Sequence, residues 1–369
     1  MLVYCGHMFE EGCAEEGALA ARIAAALDEL GVGDAFGPLA CGGDILVAEA
    51  VQARGGRLHV VLPFAEADFI AESVQCGGDS WLARYRRLRD AAVSVHFATP
   101  GAYVGDDNQF AYSTRFAMGL AALRAQELGV EAVQLAILSS QAASFSKTGL
   151  AGTAADVGVW ARLGKRTVVV DPGPVSRALR FPPRQPPAYD AEREVRSILF
   201  ADYKGFSALG ERELPLFMRE VMGGIGQVLD DFGAHIEFRN TWGDAIYVIV
   251  DQPTTAARVA LALQDRLKNL PPALTPAGGA GMRVGLHYGP IYVGRDRVTH
   301  APLWYGGEVN RTARIEPITP AGGVLCTDTF AAALLIDGCS DCVFTSIGRQ
   351  ALAKDYGTVE LFRLDHGQA

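Results

Sequence analysis

Short apolar runs alternate with longer amphipathic stretches through the first half of the chain. Stretches with apolar residues at helical spacing cover residues 18–30, 45–51, 81–89, 116–128 and 152–163. The apolar runs between them, typical of buried strands, cover residues 2–5, 58–62, 92–97, 132–138 and 167–171. Strands that alternate with helices in this way predict a Rossmann-like α/β domain, in which a parallel sheet is covered on both faces.

The second half has a different pattern, with longer strands and an expected hairpin. Strands are predicted at residues 196–203, 235–241, 245–250, 282–294 and 359–364, and helices at residues 214–232, 254–270 and from 307 onwards. Trp242-Gly243-Asp244 separates two of these strands, as the tight turn of a hairpin does. This order of elements predicts an α+β domain.

Proline-rich segments separate the two halves. Asp171-Pro-Gly-Pro174 and Phe181-Pro-Pro-Arg-Gln-Pro-Pro187 interrupt any regular helix or strand. We therefore expect one domain at residues 1–172 and another at residues 194–369. A semi-rigid linker at residues 173–193 is expected to join them.

Composition narrows the classes of function. The 369 residues are 49% hydrophobic and 20% charged, which suits two folded domains. The net charge of −9 argues against general binding to nucleic acid or to an anionic membrane. Neither a signal-peptide pattern nor an apolar run of about 18 residues is present, so we expect a cytoplasmic protein that does not span a membrane.

The cysteines point to a reducing compartment. Their number is seven, which is odd, and they are spread over a long chain, so free thiols are expected. Cys339-Ser-Asp-Cys342 has CxxC spacing. No second CxxC or histidine pair accompanies it, which argues against a metal or redox function for this pair.

Two glycine turns precede helices in the first half. Gly42 and Gly43 come before one helix, and Gly152 and Thr153 come before another. Backbone amides at such helix starts can hold a phosphate, although glycines can also serve only to permit tight turns. These glycines, with Gly164-Lys165 and the following strand, resemble the SLOG superfamily over residues 1–172. The resemblance implies a Rossmann-like sensor or regulatory domain with a nucleotide-type ligand.

Two carboxylates organise the second half. Asp202 ends a predicted strand and is followed by Gly205-Phe206-Ser207, a glycine turn expected to open a helix. Asp244 follows in the expected hairpin. Hard carboxylate oxygens suit Mg²⁺, and the amides of a helix start suit phosphate. The pattern therefore indicates a divalent metal bound together with a polyphosphate.

The order of motifs then becomes distinctive. In chain order they are Phe200-Ala-Asp202, Gly205-Phe-Ser207, Trp242-Gly-Asp244, Arg283-Val-Gly-Leu-His287 and Val309-Asn310 with Ala313-Arg314. This set resembles the catalytic domain of class III nucleotide cyclases over residues 194–364, a ferredoxin-like fold. The resemblance implies conversion of a nucleoside triphosphate into a 3′,5′-cyclic nucleotide and pyrophosphate, as a second messenger.

The resemblance also implies a role for each motif residue. Asp202, Asp244 and the backbone carbonyl of Tyr203 would bind two Mg²⁺ or Mn²⁺ ions per site. Asn310 would orient the ribose, and Arg314 would stabilise charge on the phosphate. In this family the metal carboxylates and the Asn/Arg pair act across a dimer interface, so a homodimer is implied.

Other residues of the site are expected to bind the triphosphate. Gly205, Phe206 and Ser207 would hold phosphates through the turn they form. Lys354 is a candidate for the family's triphosphate-binding lysine, although its spacing from Gly348 is one residue off the usual pattern. His287 is expected to be structural rather than catalytic.

The positions that read the base depart from the purine patterns. Asn240 stands where adenylate cyclases usually carry lysine, and Leu303 stands where they carry aspartate or threonine. An amide both donates and accepts, so Asn240 does not select a base by itself, and Leu303 forms no hydrogen bond. The pyrimidine cyclases of anti-phage signalling (the Pycsar type) also lack the purine-reading pair. UTP, CTP and ATP therefore all remain candidate substrates.

Two other functions stay open at this point. The cyclase fold could be inactive and only sense a nucleotide, although Asp202, Asp244, Asn310 and Arg314 are all present. Alternatively, the SLOG-like domain could hydrolyse a nucleotide or a glycoside. The full glycine-glycine…glutamate signature of the hydrolases in that group is absent, which argues against this alternative.

Overall fold

The computed structural model describes residues 1–12, 15–139, 152–173, 192–275 and 281–367. The chain divides into two compact units, Met1–Asp190 and Ala191–Ala369. Most of the expected linker, residues 174–191, lies outside the described residues, as does the start of the second glycine turn, residues 147–151. No helix in the described ranges is long and apolar enough to cross a membrane.

The N-terminal unit is a parallel sheet with helices, as its sequence pattern predicts. Its strands are β1 (Leu2–Gly6), β2 (Asp34–Gly37), β3 (Arg57–Leu62), β4 (Ser94–Phe97), β5 (Val133–Ile137) and β6 (Thr167–Val170). Its helices are α1 (Glu16–Leu30), α2 (Gly43–Ala53), α3 (Glu66–Ser73), α4 (Asp79–Asp90), α5 (Asn108–Leu128) and α6 (Thr153–Arg162). Among the described residues, the strand order is β4-β3-β2-β1-β5-β6, and all pairings are parallel.

Local sequence explains where these helices pack and end. Leu19, Ile23 and Leu27 of α1 recur every four residues, and all three are buried. Gly31 then ends α1 in the left-handed conformation, and its amide donates to the carbonyl of Leu27. Trp81 and two further residues of α4 are buried, so this basic helix packs by one side.

Two elements of the N-terminal unit were not expected from the sequence. The strand β2 has only four residues. The helix α3 lies between two predicted elements, in a segment for which the sequence pattern predicted no helix. Asp68 on this helix is not simply solvated, because its carboxylate accepts a hydrogen bond from the amide of Tyr103 at 2.8 Å.

The C-terminal unit is a mixed sheet covered by helices. Its strands are β7 (Glu192–Lys204), β8 (Ile236–Trp242), β9 (Ala245–Val250), β10 (Gly281–Arg295), β11 (Pro302–Tyr305), β12 (Val324–Thr327), β13 (Cys342–Ala351) and β14 (Thr358–His366). Its helices are α7 (Leu214–Phe217), α8 (Gly223–Asp231), α9 (Pro253–Arg266), α10 (Gly307–Thr312) and α11 (Asp328–Ile336). In the described part of the unit the order is β13-β14-β12-β10-β7-β9-β8, with β11 paired to β10.

The two longest strands form the centre of this sheet. Antiparallel pairing joins β7 to β10 from Glu192 opposite Val293 to Lys204 opposite Gly281. The predicted helix at residues 214–232 is observed as α7, a π-helical turn at Met218–Met222, and α8. The hairpin of β8 and β9 is also confirmed, since Trp242 pairs with Ala245.

The prediction that a helix begins at the glycine turn is wrong in the length of that helix. Gly205, at φ 109°, is followed only by a single 3₁₀ turn at Phe206–Ala208. Leu209 then returns to an extended conformation, which ends the turn. The turn presents the few amides of one 3₁₀ turn, and the longer helix begins later, at Leu214.

Candidate metal and phosphate site

Strand register brings the two aspartates together. Ala201 of β7 pairs with Ile246 of β9, so Asp202 lies one residue beyond the last paired position. On the neighbouring hairpin, Gly243 and Asp244 form the two-residue turn between Trp242 and Ala245. The side chains of Asp202 and Asp244 are consequently in hydrogen-bonding contact at one end of the sheet.

An arginine and a third carboxylate complete this cluster. Arg283 of β10 is directly opposite Asp202 in the β7–β10 register. Its guanidinium donates to Asp202 and forms an ion pair with Glu316 at 2.7 Å. Glu316 was not predicted from the sequence as part of the site. Its position after the Asn/Arg motif gave no signal of contact with β10, because that contact depends on the tertiary fold.

The electrostatics of the cluster favour added positive charge. Burial raises the pKa of Asp244 to about 6, and the nearby carboxylate of Asp202 contributes to this rise. Burial likewise raises the pKa of Glu316 to about 7, with Arg283 acting in the opposite direction and the two aspartates adding to the rise. Adjacent carboxylates repel one another, and a divalent cation relieves that repulsion.

The oxygen donors of this cluster fit Mg²⁺ or Mn²⁺. Both cations prefer carboxylate and carbonyl oxygens, which Asp202, Asp244 and the backbone of Tyr203 offer. The Tyr203 side chain is not available as a ligand, because it is buried and its hydroxyl donates to the carbonyl of Leu274 at 2.8 Å. Only its main chain can face a metal, which is the role that the cyclase resemblance implies for this residue.

In the described part of the unit, Asn310 and Arg314 do not contact the two aspartates of their own chain. Asn310 is exposed on α10, and Arg314 follows just beyond the end of that helix. Within the described residues, neither side chain forms a hydrogen bond or an ion pair with Asp202 or Asp244 of the same chain. The Nε atom of Arg314 is buried and has no hydrogen-bond partner. A buried guanidinium donor without a partner costs folding free energy. This arrangement is therefore typical of a side chain that binds an anion.

A buried network fixes the start of α10. His287 of β10 is completely buried, with Nε2 at 2.9 Å from Glu308 and Nδ1 at 2.9 Å from the hydroxyl of Thr327. Arg311 approaches the same Glu308 carboxylate at 3.2 Å. These partners lie on β10, α10 and β12, so the network positions the helix that carries Asn310. His287 is thus held between three elements by buried hydrogen-bonding partners.

Lys354 occupies the tip of the β13–β14 hairpin. It is exposed and adopts a left-handed conformation, with φ 60° and ψ 40°. The register of the hairpin shifts between Ser346 and Gly348, so one extra residue is accommodated there. The extra residue, Ile347, comes before Gly348, so the bulge does not account for the unusual spacing between Gly348 and Lys354. The hairpin leaves the lysine free to reach outward from the sheet.

The base-reading positions lie on neighbouring elements. Asn240 is on β8 and Leu303 is on β11, and these two strands pack against each other. Asn240 is exposed, and Leu303 pairs with Gly294 of β10. Trp304 is buried in a core cluster, so it is not a stacking surface for a base. Tyr305 is partly exposed and stacks on Tyr292, with 5.4 Å between ring centroids.

The two glycine turns of the N-terminal unit begin α2 and α6. Gly42 precedes α2 with φ 97°, and Gly152 precedes α6 with φ 112°. A Cβ on Gly43 would lie only 2.9 Å from the Cα of Gly6, so close packing of α2 on β1 requires that glycine. A Cβ on Gly152 would meet no atom within 4 Å, so packing does not explain this glycine. Thr153, the first residue of α6, is buried.

Two buried acids lie near these helix starts. Asp44, in the first turn of α2, is 3% exposed, and its Oδ1 atom has no hydrogen-bond partner. Asp156, in the first turn of α6, is also buried. Burial raises the pKa of both carboxyls, that of Asp156 to about 7, and Asp156 adds to the rise at Asp44. The two carboxyls interact electrostatically, and their helices α2 and α6 both pack against β1, where the order of the strands reverses.

Comparison with known proteins concerns the C-terminal unit. Residues 189–363 match the family model described as the adenylate and guanylate cyclase catalytic domain. No curated protein sequence matches the chain. Similar solved structures include the adenylyl cyclase CyaB from P. aeruginosa, with 17% identity, a TM-score of 0.41, and coverage of 49% of this chain and 98% of that chain. Another is the guanylate cyclase domain of RhGC from Catenaria anguillulae in complex with GTP, with 17% identity, a TM-score of 0.41, and coverage of 48% and 100%.

Proposed function

We propose that this chain, whose residues 189–363 form a class III adenylate and guanylate cyclase catalytic domain, is an active nucleotide cyclase. It converts a nucleoside triphosphate into a 3′,5′-cyclic nucleotide and pyrophosphate. The observation that carries this proposal is the contact between Asp202 and Asp244, which the register of β7 with β9 produces. Two carboxylates at one sheet end, with Glu316 and a single arginine beside them, suit divalent cations and a triphosphate.

We propose a separate role in the reaction for each group of site residues. Asp202, Asp244 and the Tyr203 carbonyl would hold two Mg²⁺ or Mn²⁺ ions, which lower the pKa of the ribose 3′-hydroxyl and neutralise the triphosphate. The amides of the 3₁₀ turn after Gly205 would bind phosphate oxygens. Arg314 would offer its guanidinium, whose buried Nε has no hydrogen-bond partner, to the charge that develops on the α-phosphate.

The active form is proposed to be a homodimer. In the described residues, Asn310 and Arg314 make no contact with the carboxylates of their own chain. We therefore propose that a second copy of the chain supplies the Asn310 and Arg314 that act beside these carboxylates. Trp242 supports an interface at the same hairpin, because it is 90% exposed beside Asp244. An exposed tryptophan is unusual on a free surface and is enriched in protein interfaces.

A product assay tests the catalytic proposal. The purified full chain is incubated with ATP, GTP, CTP or UTP and either Mg²⁺ or Mn²⁺, and the products are separated by chromatography. We expect a cyclic nucleotide from the wild-type chain and none from Asp202→Asn. Asp231→Asn, which changes an exposed aspartate at the end of α8, serves as the control and should retain activity. Absence of cyclic product with all four triphosphates and both metals contradicts the proposal.

We propose that the substrate carries a pyrimidine or an adenine base. A pyrimidine base would make the chain similar to the pyrimidine cyclases of anti-phage signalling. Asn240 is exposed and bonded locally, since its Oδ1 accepts from the amide of Thr241 at 2.9 Å. The side chain of Leu303 forms no hydrogen bond, so these two positions can distinguish bases only weakly. The same assay, with the triphosphates in direct competition, identifies the preferred base. Preference for GTP would contradict this part of the proposal.

A nucleotide sensor without turnover is the second candidate function for this unit. The ion pair between Arg283 and Asp202 favours it, because the guanidinium occupies a metal-binding carboxylate. Calorimetric titration with a non-hydrolysable triphosphate analogue, together with the product assay, separates the two functions. Tight binding without any cyclic product supports the sensor, whereas turnover excludes it.

For the N-terminal unit, we propose a regulatory role with a nucleotide-type ligand at the carboxyl ends of β1 and β5. The unpaired, buried Oδ1 atom of Asp44 and the open turn at Gly152 support a polar ligand there. A carboxyl kept protonated by burial can donate a hydrogen bond to a ribose or base. Thermal shifts with a panel of nucleotides should identify the ligand, and Asp44→Asn and Gly152→Val should reduce that shift. An unchanged shift in both variants contradicts this location.

A further inference from the structure

A second cluster of ligating side chains lies on the C-terminal unit, away from the aspartate pair in sequence. The thiols of Cys339 and Cys342 and a carboxylate oxygen of Asp341 all lie within 4.8 Å of one another. Cys339 donates to Asp341 at 3.2 Å, and the two thiols are also in hydrogen-bonding contact. All six cysteines that the structure describes are free thiols. We call these three residues the CxxC cluster.

We propose that the CxxC cluster binds a soft divalent cation such as Zn²⁺, with His366 as the fourth ligand. The sequence alone argued against a metal here, because no second pair of cysteines or histidines follows the first. The fold changes this conclusion by supplying two further ligands. One is Asp341, within the motif itself, and the other is a histidine that the sheet places opposite Cys342.

The register of the β13–β14 hairpin carries the assignment of His366. Cys342, the first residue of β13, pairs directly with His366, the last residue of β14. Side chains that are directly opposite in an antiparallel pair lie on the same face, with Cβ atoms about 4.5–5.5 Å apart. The pairing therefore places His366 next to the cluster, and an adjustment of its side chain that keeps Nε2 on Asp265 would bring Nδ1 to the ion.

The outer contacts are those expected of metal ligands. His366 places Nε2 at 2.9 Å from Asp265, and such a contact leaves Nδ1 to face a metal. Arg258 donates to Oδ2 of Asp341 at 2.8 Å, while Oδ1 faces Cys339. Both outer partners belong to α9. A histidine ligand held by a carboxylate is the usual arrangement around protein-bound zinc.

The ligand set distinguishes this cluster from the aspartate pair. Two sulfur atoms, one nitrogen and one oxygen form a set that Zn²⁺ binds tetrahedrally, with bonds of about 2.0–2.3 Å. Mg²⁺ prefers oxygen ligands in octahedral geometry, so it is not expected to compete for the thiols. The unit would therefore carry two kinds of metal site, one of hard oxygen donors and one with thiolates.

The position of the cluster indicates what a bound ion would do. β13 is at the edge of the sheet, and Cys342 and His366 close the base of the hairpin whose tip carries Lys354. The ion would join this base to the segment that follows α11. An edge strand has a neighbour on one side only, so a metal bond at its start is an efficient stabiliser.

Metal content is the direct test. The full chain is stripped with a chelator, loaded with Zn²⁺ in excess Mg²⁺, and separated from free metal before elemental analysis. We expect about one Zn²⁺ per chain, as for a closed structural site. Cys339→Ser and Cys342→Ser should both lose it, whereas Asp202→Asn and Cys76→Ser, an exposed cysteine of the N-terminal unit, should retain it. Zinc that remains in both cysteine variants, or no zinc in the wild-type chain, overturns the proposal.

Two further measurements test the details of the site. Co²⁺ in place of Zn²⁺ should give sulfur-to-cobalt charge-transfer absorption and the visible bands of a tetrahedral ion, which a site of oxygen ligands does not give. His366→Ala should weaken zinc affinity at least tenfold, and Asp265→Asn by about 10–100-fold. Unchanged affinity in His366→Ala overturns the four-ligand site. An intact mass showing a Cys339–Cys342 disulfide in a protein isolated under reducing conditions would overturn metal binding in favour of a redox pair.

Discussion

At the scale of single residues, Arg283 is shared between two carboxylates. It contacts Asp202 and also Glu316, at 2.7 Å from the latter. In Glu316→Gln the amide no longer competes for the guanidinium, so Arg283 holds Asp202 more strongly, and one negative charge near the metal is lost. Both changes weaken metal binding. We expect the Mg²⁺ concentration for half-maximal activity to rise by about threefold to tenfold, which corresponds to roughly 1 kcal/mol.

The control for this prediction removes a comparable ion pair elsewhere. Glu127 and Arg124 form an exposed pair at 2.9 Å in the N-terminal unit. Glu127→Gln should leave the metal requirement unchanged, because exposed pairs contribute little and this one is remote from the carboxylates in sequence. If Glu316→Gln titrates with Mg²⁺ as the wild-type chain does, Arg283 does not compete with the metal at Asp202.

The sequence predicted some of these residues and not others, for a physical reason. Asp202 and Asp244 stand at strand ends next to glycines, and such local patterns are visible along the chain. Glu316 is separated from Arg283 by 33 positions, and the two meet only because α10 packs against β10. His366 opposite Cys342 is a case of the same kind. Contacts fixed by register or by helix packing have no local signal.

A second prediction at this scale concerns the pH dependence of the N-terminal unit. Burial raises the pKa of Asp156 to about 7, from an unfolded value of about 3.9. The stabilising effect of this carboxyl is complete below the unfolded pKa and is lost as pH rises through about 7. Asp156→Asn does not titrate, and its amide oxygen can still accept the bond from Thr114. At pH 8 the variant should be more stable than wild type, by up to roughly 4 kcal/mol.

Thermal unfolding of the full chain between pH 5 and pH 8 measures this difference. The wild-type transition of the N-terminal unit should fall with rising pH more steeply than that of Asp156→Asn. Some dependence will remain in the variant, because the pKa of buried Asp44 is raised as well and Cys5 is buried beside both acids. Parallel curves for the two proteins would show that Asp156 is already ionised in the fold.

At the scale of elements, the two-residue turn of the β8–β9 hairpin positions Asp244. Gly243 has φ 66°, a left-handed conformation that costs a β-branched residue about 1–2 kcal/mol. A Cβ at this position would meet no atom within 4 Å, so the cost of substitution comes from the backbone alone. We expect Gly243→Val to displace Asp244 and to lower kcat at least tenfold, with a small change in Tm.

An asparagine at the same position separates backbone strain from the mere loss of glycine. Asparagine adopts the left-handed conformation far more readily than valine, so Gly243→Asn should retain most of the activity. Both variants are compared by steady-state kinetics and thermal unfolding. Equal losses in the two variants would mean that the turn's conformation is not what positions the carboxylate.

Several elements that the sequence missed gave only a weak local signal, each for its own reason. The strands β2, β11 and β12 have four residues each, which makes a period hard to recognise. The strand β13 is longer, but most of its residues are exposed, so no buried apolar run marks it. The helix α11 is buried over most of its length, so it lacks the alternation of apolar and polar faces that reveals an amphipathic helix. By contrast α1, with one buried side, was predicted nearly to its observed bounds.

At the scale of the whole molecule, the proposed dimer divides each active site between two chains. Asp202 and Asp244 come from one chain, while Asn310 and Arg314 would come from its partner. The buried, unpaired Nε of Arg314 and the exposed Trp242 are the features of the single chain that this arrangement explains. A shared site makes a specific prediction, because two variants with defects in different halves can compensate for each other.

Asp202→Ala and Arg314→Ala should each be inactive alone. The two variants are mixed, dissociated and allowed to reassociate, so that half of the dimers contain one chain of each variant. Each of these mixed dimers has one site with both defects and one site with neither. We therefore expect about a quarter of wild-type activity per chain in the mixture, by symmetry of the two-fold interface. Asp202→Ala mixed with Asp244→Ala is the matched control and should stay inactive, because both defects lie in the same half. Recovery in neither mixture would place the complete site within one chain and remove the need for a dimer.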